Sequence, residues 1–258
     1  MSRSRKTAAA GRAALGWAAA AGTLALACLP AAADARPVPG AAAAPVVREL
    51  RAARTIDPGR EGIVEVAGYT GPRLGAGSTL TVTAPAGTEL TGTPLDAAGY
   101  RGTVAPGGGS AAYTFTGTPA TEAWHIRTFP FVVAVPAHAV PGTRLRGCAL
   151  RLTDARGARR AAGACEVTVG LPGPTLTRPI SGVLLDGRPE MSGTAHPGAR
   201  ITVRDKDERT ACATTAAADG TWRCTPGPAF PSGANRLQAT ADLNGVSATS
   251  EQIRIAVR

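Results

Sequence analysis

Histidine, lysine and aromatic residues are scarce in this chain, and each scarcity narrows what it can do. The three histidines, His125, His138 and His196, stand far apart. None has a second histidine or a carboxylate at metal-ligand spacing, and no His-Glu-x-x-His occurs. A solvated loop position is the expectation for each; no metal and no cofactor is expected. A Gly-x-Ser-x-Gly elbow for a serine hydrolase is missing too. The glycine-rich Gly71-Pro72-Arg73-Leu74-Gly75-Ala76-Gly77 lacks the Gly-Lys-Ser/Thr ending of a phosphate-cradling loop, so it reads as a strand connector. Asp205, Asp207 and Glu208 offer oxygens for calcium, but Lys206 and Arg209 interleave with them, and a solvated turn is the simpler reading. Aromatics make up 4% of the residues, which leaves Trp124, Tyr69 and Tyr100 as the candidates for stacking on a sugar. The chain reads as non-enzymatic.

Beyond residue 35 there is no long apolar run, and so no transmembrane span is expected in the mature chain. The apolar run that does exist, Ala13 to Leu29, follows Arg3, Arg5, Lys6 and Arg12 and precedes Ala33-Asp34-Ala35. A positive segment, a short apolar segment and an A-x-A site are the parts of a secretory signal, with cleavage expected after Ala35. Leu26-Ala27-Cys28 looks like part of a lipobox, which makes a lipid anchor through Cys28 the alternative to plain secretion. Residues 1–35 hold four positive charges and one negative, so the formal charge of +10 becomes +7 in the remainder. Lys206 is then the only lysine; arginine in its place, with much Ala, Gly and Pro, fits the coding bias of a high-GC bacterium.

What remains is broken into short runs of Val, Thr, Leu and Ala, punctuated by Gly or Pro, with no sustained 3.6-residue period. That pattern predicts an all-β fold of the sandwich type. Residues 36–59 are expected to be a Pro/Ala-rich linker, with a short helical turn over 49–54. Strands begin near Glu61: GIVEVAG alternates, and LTVTAP puts Leu80, Val82 and Ala84 on one face and its threonines on the other. FPFVVAV at 129–135 is apolar enough for a central strand. The Pro-rich LPGPTLTRP at 171–179 suggests a boundary, giving domains at 60–172 and 173–258.

In the second domain the run P-x-x-SGTA-x-PGA-x-ITV-x-D, then ADGTW-x-C-x-P, then G-x-N-x-LQATA, carries a resemblance. The matching residues are Ser192 to Ala195, Pro197 to Ala199, Ile201 to Val203, Asp205, Ala218 to Trp222, Pro226 and Leu237 to Ala241. This run resembles the bacterial immunoglobulin-like repeats of secreted and surface proteins, over roughly 175–258. Residues 60–170 are similar to that class only loosely. The resemblance implies two consecutive Ig-like sandwiches used for spacing, adhesion or interaction outside the cell.

Four cysteines follow the leader. If Arg156-Gly157 is a two-residue turn, Cys148 falls opposite Cys165. With Asp219-Gly220 as a second turn, Cys212 comes opposite or diagonal to Cys224, on the same face. Opposed residues lie within reach of a disulfide, and an exported chain meets an oxidising setting. Two hairpin staples are therefore expected. Trp222, on the cysteine face near Thr214, reads as core. Arg144, Arg146, Arg151, Arg156, Arg159 and Arg160 gather on one predicted hairpin. They and Trp124 are the candidate contacts for a ligand or polyanion, against the simpler view of a charged edge that resists aggregation. The reading is a secreted Ig-like binding, adhesion or spacer module, partnered by an extracellular protein or an anionic wall polymer and not by nucleic acid. The alternative is a carbohydrate- or wall-polymer-binding accessory protein.

Overall fold

The computed structural model describes residues 48–258. The leader, its Ala33-Asp34-Ala35 site and Cys28 lie outside the described residues, as do residues 36–47 of the expected linker. The described chain is all-β. Ten strands come first: β1 (Arg48–Ile56), β2 (Glu61–Val66), β3 (Thr79–Thr83), β4 (Glu89–Gly92), β5 (Tyr100–Val104), β6 (Ser110–Phe115), β7 (Phe129–Ala134), β8 (Arg144–Leu145), β9 (Ala149–Thr153) and β10 (Arg159–Val169). Eight follow: β11 (Leu184–Leu185), β12 (Met191–Thr194), β13 (Arg200–Arg204), β14 (Thr210–Thr215), β15 (Thr221–Cys224), β16 (Gly233–Leu243), β17 (Val246–Thr249) and β18 (Ile253–Val257).

Strands β1-β10-β9-β3-β6-β5 form one sheet, with β8 also on β10, and β2-β7-β4 form the sheet that faces it. The inward residues alternate as a half-buried strand requires: Leu80 and Val82 from β3, Ala111, Tyr113 and Phe115 from β6, Phe129, Phe131 and Val133 from β7. Strand β7 is the central strand of its sheet, as its apolar sequence suggests. Tyr113 crosses the interior. Its hydroxyl donates to the Pro130 carbonyl at 2.8 Å and accepts the Leu95 amide at 2.8 Å, so the buried phenol has both partners.

Residues 48–56 are a correction to the expected linker and helical turn. They form β1, which runs parallel to β10 in register from Arg48↔Ala161 to Ile56↔Val169. Leu50, Ala52 and Ile56 are buried on its inner side, and three arginines in RELRAARTI had hidden that alternation. Close approach of β1 also explains Gly163. A Cβ there would stand 1.9 Å from the Leu50 carbonyl oxygen, so no larger residue fits without moving backbone.

The β9–β10 hairpin keeps its expected register by two compensating departures. Its turn is not the two-residue Arg156-Gly157 but a three-residue loop. The Asp154 amide donates to the Ala158 carbonyl, the Gly157 amide to the Asp154 carbonyl, and Gly157 takes φ 78°. A bulge between Arg159 and Ala161 then restores the pairing Leu152↔Ala161 through Ala149↔Ala164. That ladder leads directly to Cys148 and Cys165.

In the second half of the chain, β11-β18-β16-β13-β14 form a sheet with β17 on β16, and β12-β15 form a two-stranded sheet. Met191, Ile201, Val203, Trp222, Leu237, Ala239 and Ala241 fill the interior between them. Here the expected hairpin is corrected. Strands β14 and β15 do not pair: β14 lies on β13, whereas β15 lies on β12. The chain turns over at 217–221, where the Ala217 amide donates to the Thr221 carbonyl, and crosses from one sheet to the other. Trp222 is buried as expected, but opposite Gly193 and not Thr214.

Candidate functional site

Both expected disulfides form. Cys148–Cys165 joins neighbouring chain segments of one sheet with Cα atoms 5.3 Å apart. Cys212–Cys224, at 6.1 Å, spans the two sheets of the second sandwich, because its cysteines sit on β14 and β15. The second bridge is thus an inter-sheet tie and not a hairpin staple.

Trp124 is corrected as a ligand contact. Its side chain is 3% exposed, its Nε1 donates to Ser78 Oγ at 2.8 Å, and its ring lies 4.5 Å from Phe129 and edge-on to Tyr100 at 4.9 Å. The other stacking candidates are also turned inward. Tyr69 is buried and donates to the Pro72 carbonyl; half-buried Tyr100 accepts the Ala123 amide at 2.7 Å. The glycine-rich connector does hold an anion, but an internal one: buried Glu122 accepts the Leu74 and Gly75 amides at 2.6 and 2.7 Å. In the acidic stretch, Asp205 Oδ1 accepts the Asp207 and Arg209 amides at 2.9 Å, which makes the segment a capped turn. His125 and His138 are exposed and His196 is half-buried.

The arginines do not form one patch, a second correction. Arg144 pairs with Thr168, at the end of β10 opposite to Arg159. Residues 159 and 168 are separated by roughly 30 Å of strand. Sequence neighbours were split because β9 and β10 run antiparallel, while β8 joins β10 only beyond the end of β9. Arg160 is already engaged, its Nε donating to Asp154 Oδ2 at 2.8 Å. Arg156, exposed at the loop, gives only its backbone amide to Asp154. The Arg160 guanidinium, helped by the Ala158 and Arg156 amides, holds the Asp154 carboxyl below its ordinary value. A lowered folded-state pKa stabilises at pH above the unfolded carboxylate value of about 3.9 and loses that contribution as pH falls through the folded one. Melting temperature is therefore expected to fall below about pH 4, and less steeply in Asp154→Asn than in the parent. Identical acid limbs in the two proteins would refute this role for the carboxylate.

What the fold does assemble is a cleft of about 500 Å³ on the outer face of the larger sheet. Thr81, Thr83, Ser110, Ala149, Leu150, Arg151, Arg159, Ala162 and Gly163 line it, with no carboxylate among them. Register places these residues in rows. Ala162, Arg151, Thr81, Ala112 and Thr103 face one another across β10, β9, β3, β6 and β5. Ala149, Thr83 and Ser110 make a second row, and Arg159, Thr153, Thr79, Thr114 and Arg101 a third. Hydroxyls of the third row are occupied within the sheet: Thr79 and Thr114 share a hydrogen bond of 3.3 Å, and Thr153 donates to the Thr79 carbonyl. Those of Thr81, Thr83 and Ser110 have no protein partner among the described residues, and Arg151 and Arg159 have no ion pair there. The alternation of LTVTAP already turned Thr81 and Thr83 outward in sequence; their partners on β6, β9 and β10 carried no local signal.

No family model matches this chain, and no curated protein does. Solved structures that resemble it include the BSP domain of a biofilm-associated protein, at 14% identity and a TM-score of 0.29, covering 82% of this chain and 29% of that one. Another is BcpA, the major pilin subunit of Bacillus cereus, at 11% and 0.33, covering 82% of this chain and 68% of that one. A third is the C-terminal domain of the AgI/II polypeptide BspA of Streptococcus agalactiae, at 9% and 0.28, covering 81% and 99%.

Proposed function

We propose that the chain is an exported, non-enzymatic adhesion or binding module, two Ig-like sandwiches joined near residue 173 and carried beyond the membrane by a leader cleaved after Ala35. The observation that carries this reading is the pair of disulfides, one beside the β9–β10 ladder and one between sheets. Bonds of this kind persist where thiols oxidise and are rare in the cytosol. Interior placement of Trp124 and Tyr69 favours contact through the polar sheet face over stacking on neutral sugars.

The test is fractionation of the full chain expressed with its own leader. We expect the protein outside the membrane, with no thiol labelled by maleimide in the mature form, and saturable retention on isolated cell envelopes. Intracellular accumulation with the leader retained and all five thiols labelled would overturn the proposal.

A further inference from the structure

We propose that the cleft on the outer face of β3, β6, β9 and β10 is a binding site for a phosphate-bearing polyol polymer, gripped by Arg151 and Arg159. This rests on the extracellular binding reading and gives that module its ligand class. Three observations carry it. First, the charge favours anions: the two guanidinium groups have no ion pair among the described residues, no carboxylate lines the cleft, Arg101 closes the far end of the Arg159 row, and Glu49, next to Ala162 on β1, is ion-paired with Arg51. An unpaired guanidinium presents a planar donor fork that matches phosphate oxygens. Second, the floor beside Arg151 and on the side away from Arg159 consists of Ala149, Leu150, Ala162 and Gly163, so a chain can lie close to the sheet as it runs past the arginines. Third, Thr81, Thr83 and Ser110 leave their hydroxyls unpartnered while Thr79, Thr114 and Thr153 do not. A hydroxyl both donates and accepts, which suits the hydroxyl groups of a polyol between successive phosphates.

The same lining argues against single-stranded nucleic acid, whose non-specific sites stack bases on aromatic side chains. No aromatic residue lines the cleft. A neutral glycan is disfavoured by the unpaired charge.

The probe is fluorescent polyglycerol phosphate, titrated into the full mature chain at low and at physiological salt. Neutral dextran and an oligothymidylate of matched charge serve as comparisons. Binding that weakens with salt is expected for the parent. The Arg151→Glu/Arg159→Glu protein is expected to bind at least tenfold more weakly with an unchanged melting temperature. Arg144→Glu/Arg146→Glu, at the other end of β10, is expected to bind as the parent does. Ala162→Trp fills the cleft without altering charge and is expected to weaken binding too. Equal binding by the Arg151/Arg159 variant, or oligothymidylate binding at parent affinity for polyglycerol phosphate, would overturn the site. A parent that ignores polyglycerol phosphate yet is retained by whole envelopes would overturn the cleft alone and leave the adhesion reading intact.

Discussion

Trp124→Ala is expected to destabilise the protein by about 3–5 kcal/mol, the usual cost of emptying a large aromatic site from a packed core. The indole contacts Phe129 at 4.5 Å and Tyr100 at 4.9 Å, and its loss leaves the buried Ser78 Oγ, which donates to the Gly75 carbonyl, without the donor it accepts from. Urea denaturation followed by circular dichroism measures the loss, with Trp222 left as a fluorescent reporter of the other apolar cluster. A variant with parent-like stability but weakened ligand retention would reverse the assignment and return Trp124 to the surface. Conservative replacement by phenylalanine should recover part of the loss, since most ring contacts survive and only the Nε1 hydrogen bond disappears.

The second large effect concerns Cys212–Cys224. Replacing both cysteines by serine removes a closed loop of twelve-residue separation. By loop-closure entropy that costs about 3 kcal/mol, close to two decades in an opening constant. Location makes the consequence specific. Strands β12 and β15 share only four register pairs, and a two-stranded sheet is marginal by itself. It is held by Met191 and Trp222 against the facing sheet, by residues 175–178 hydrogen-bonded along β12, and by this bridge. Amides of Thr221 to Cys224 should therefore exchange about a hundredfold faster in the serine variant, while those of β13 and β16 change less. In Cys148→Ser/Cys165→Ser the neighbouring ladder Ala149↔Ala164 to Leu152↔Ala161 remains, so its loosening should be confined to the entry of β9. Uniform acceleration across both sheets of the second sandwich would sink the account of the bridge as a local tie.

Much of the fold was legible because its signals are local. LTVTAP and FPFVVAV carry the alternation or apolarity of strands, and Gly or Pro marks the breaks between them. The cysteine pairings were legible for a related reason: each bridge closes a short loop. What failed was whatever depends on distant pairing. β1 has three arginines and a parallel partner more than a hundred positions away, so nothing near it announced a strand. A turn signal at Asp219-Gly220 marks where the chain reverses, but not whether the flanking strands zip together or part to different sheets; they part. Arg144 and Arg159 stand close in sequence and far apart on β10, whereas Arg151 and Thr81 are far apart in sequence and adjacent in register. Outward-facing residues were thus readable one strand at a time. The cleft they share exists only once β3, β6, β9 and β10 are laid side by side.

The parallel pairing of β1 with β10 bears on how the chain carries load. Tension that enters before residue 48 and leaves after residue 169 drags these two strands lengthwise past each other. All nine register pairs are strained together instead of peeling open one after another. The corresponding contact of β11 with β18 is two pairs long and yields sooner. Pulled from both ends, the chain would lengthen first in its second sandwich and keep the face bearing Arg151 and Arg159 intact.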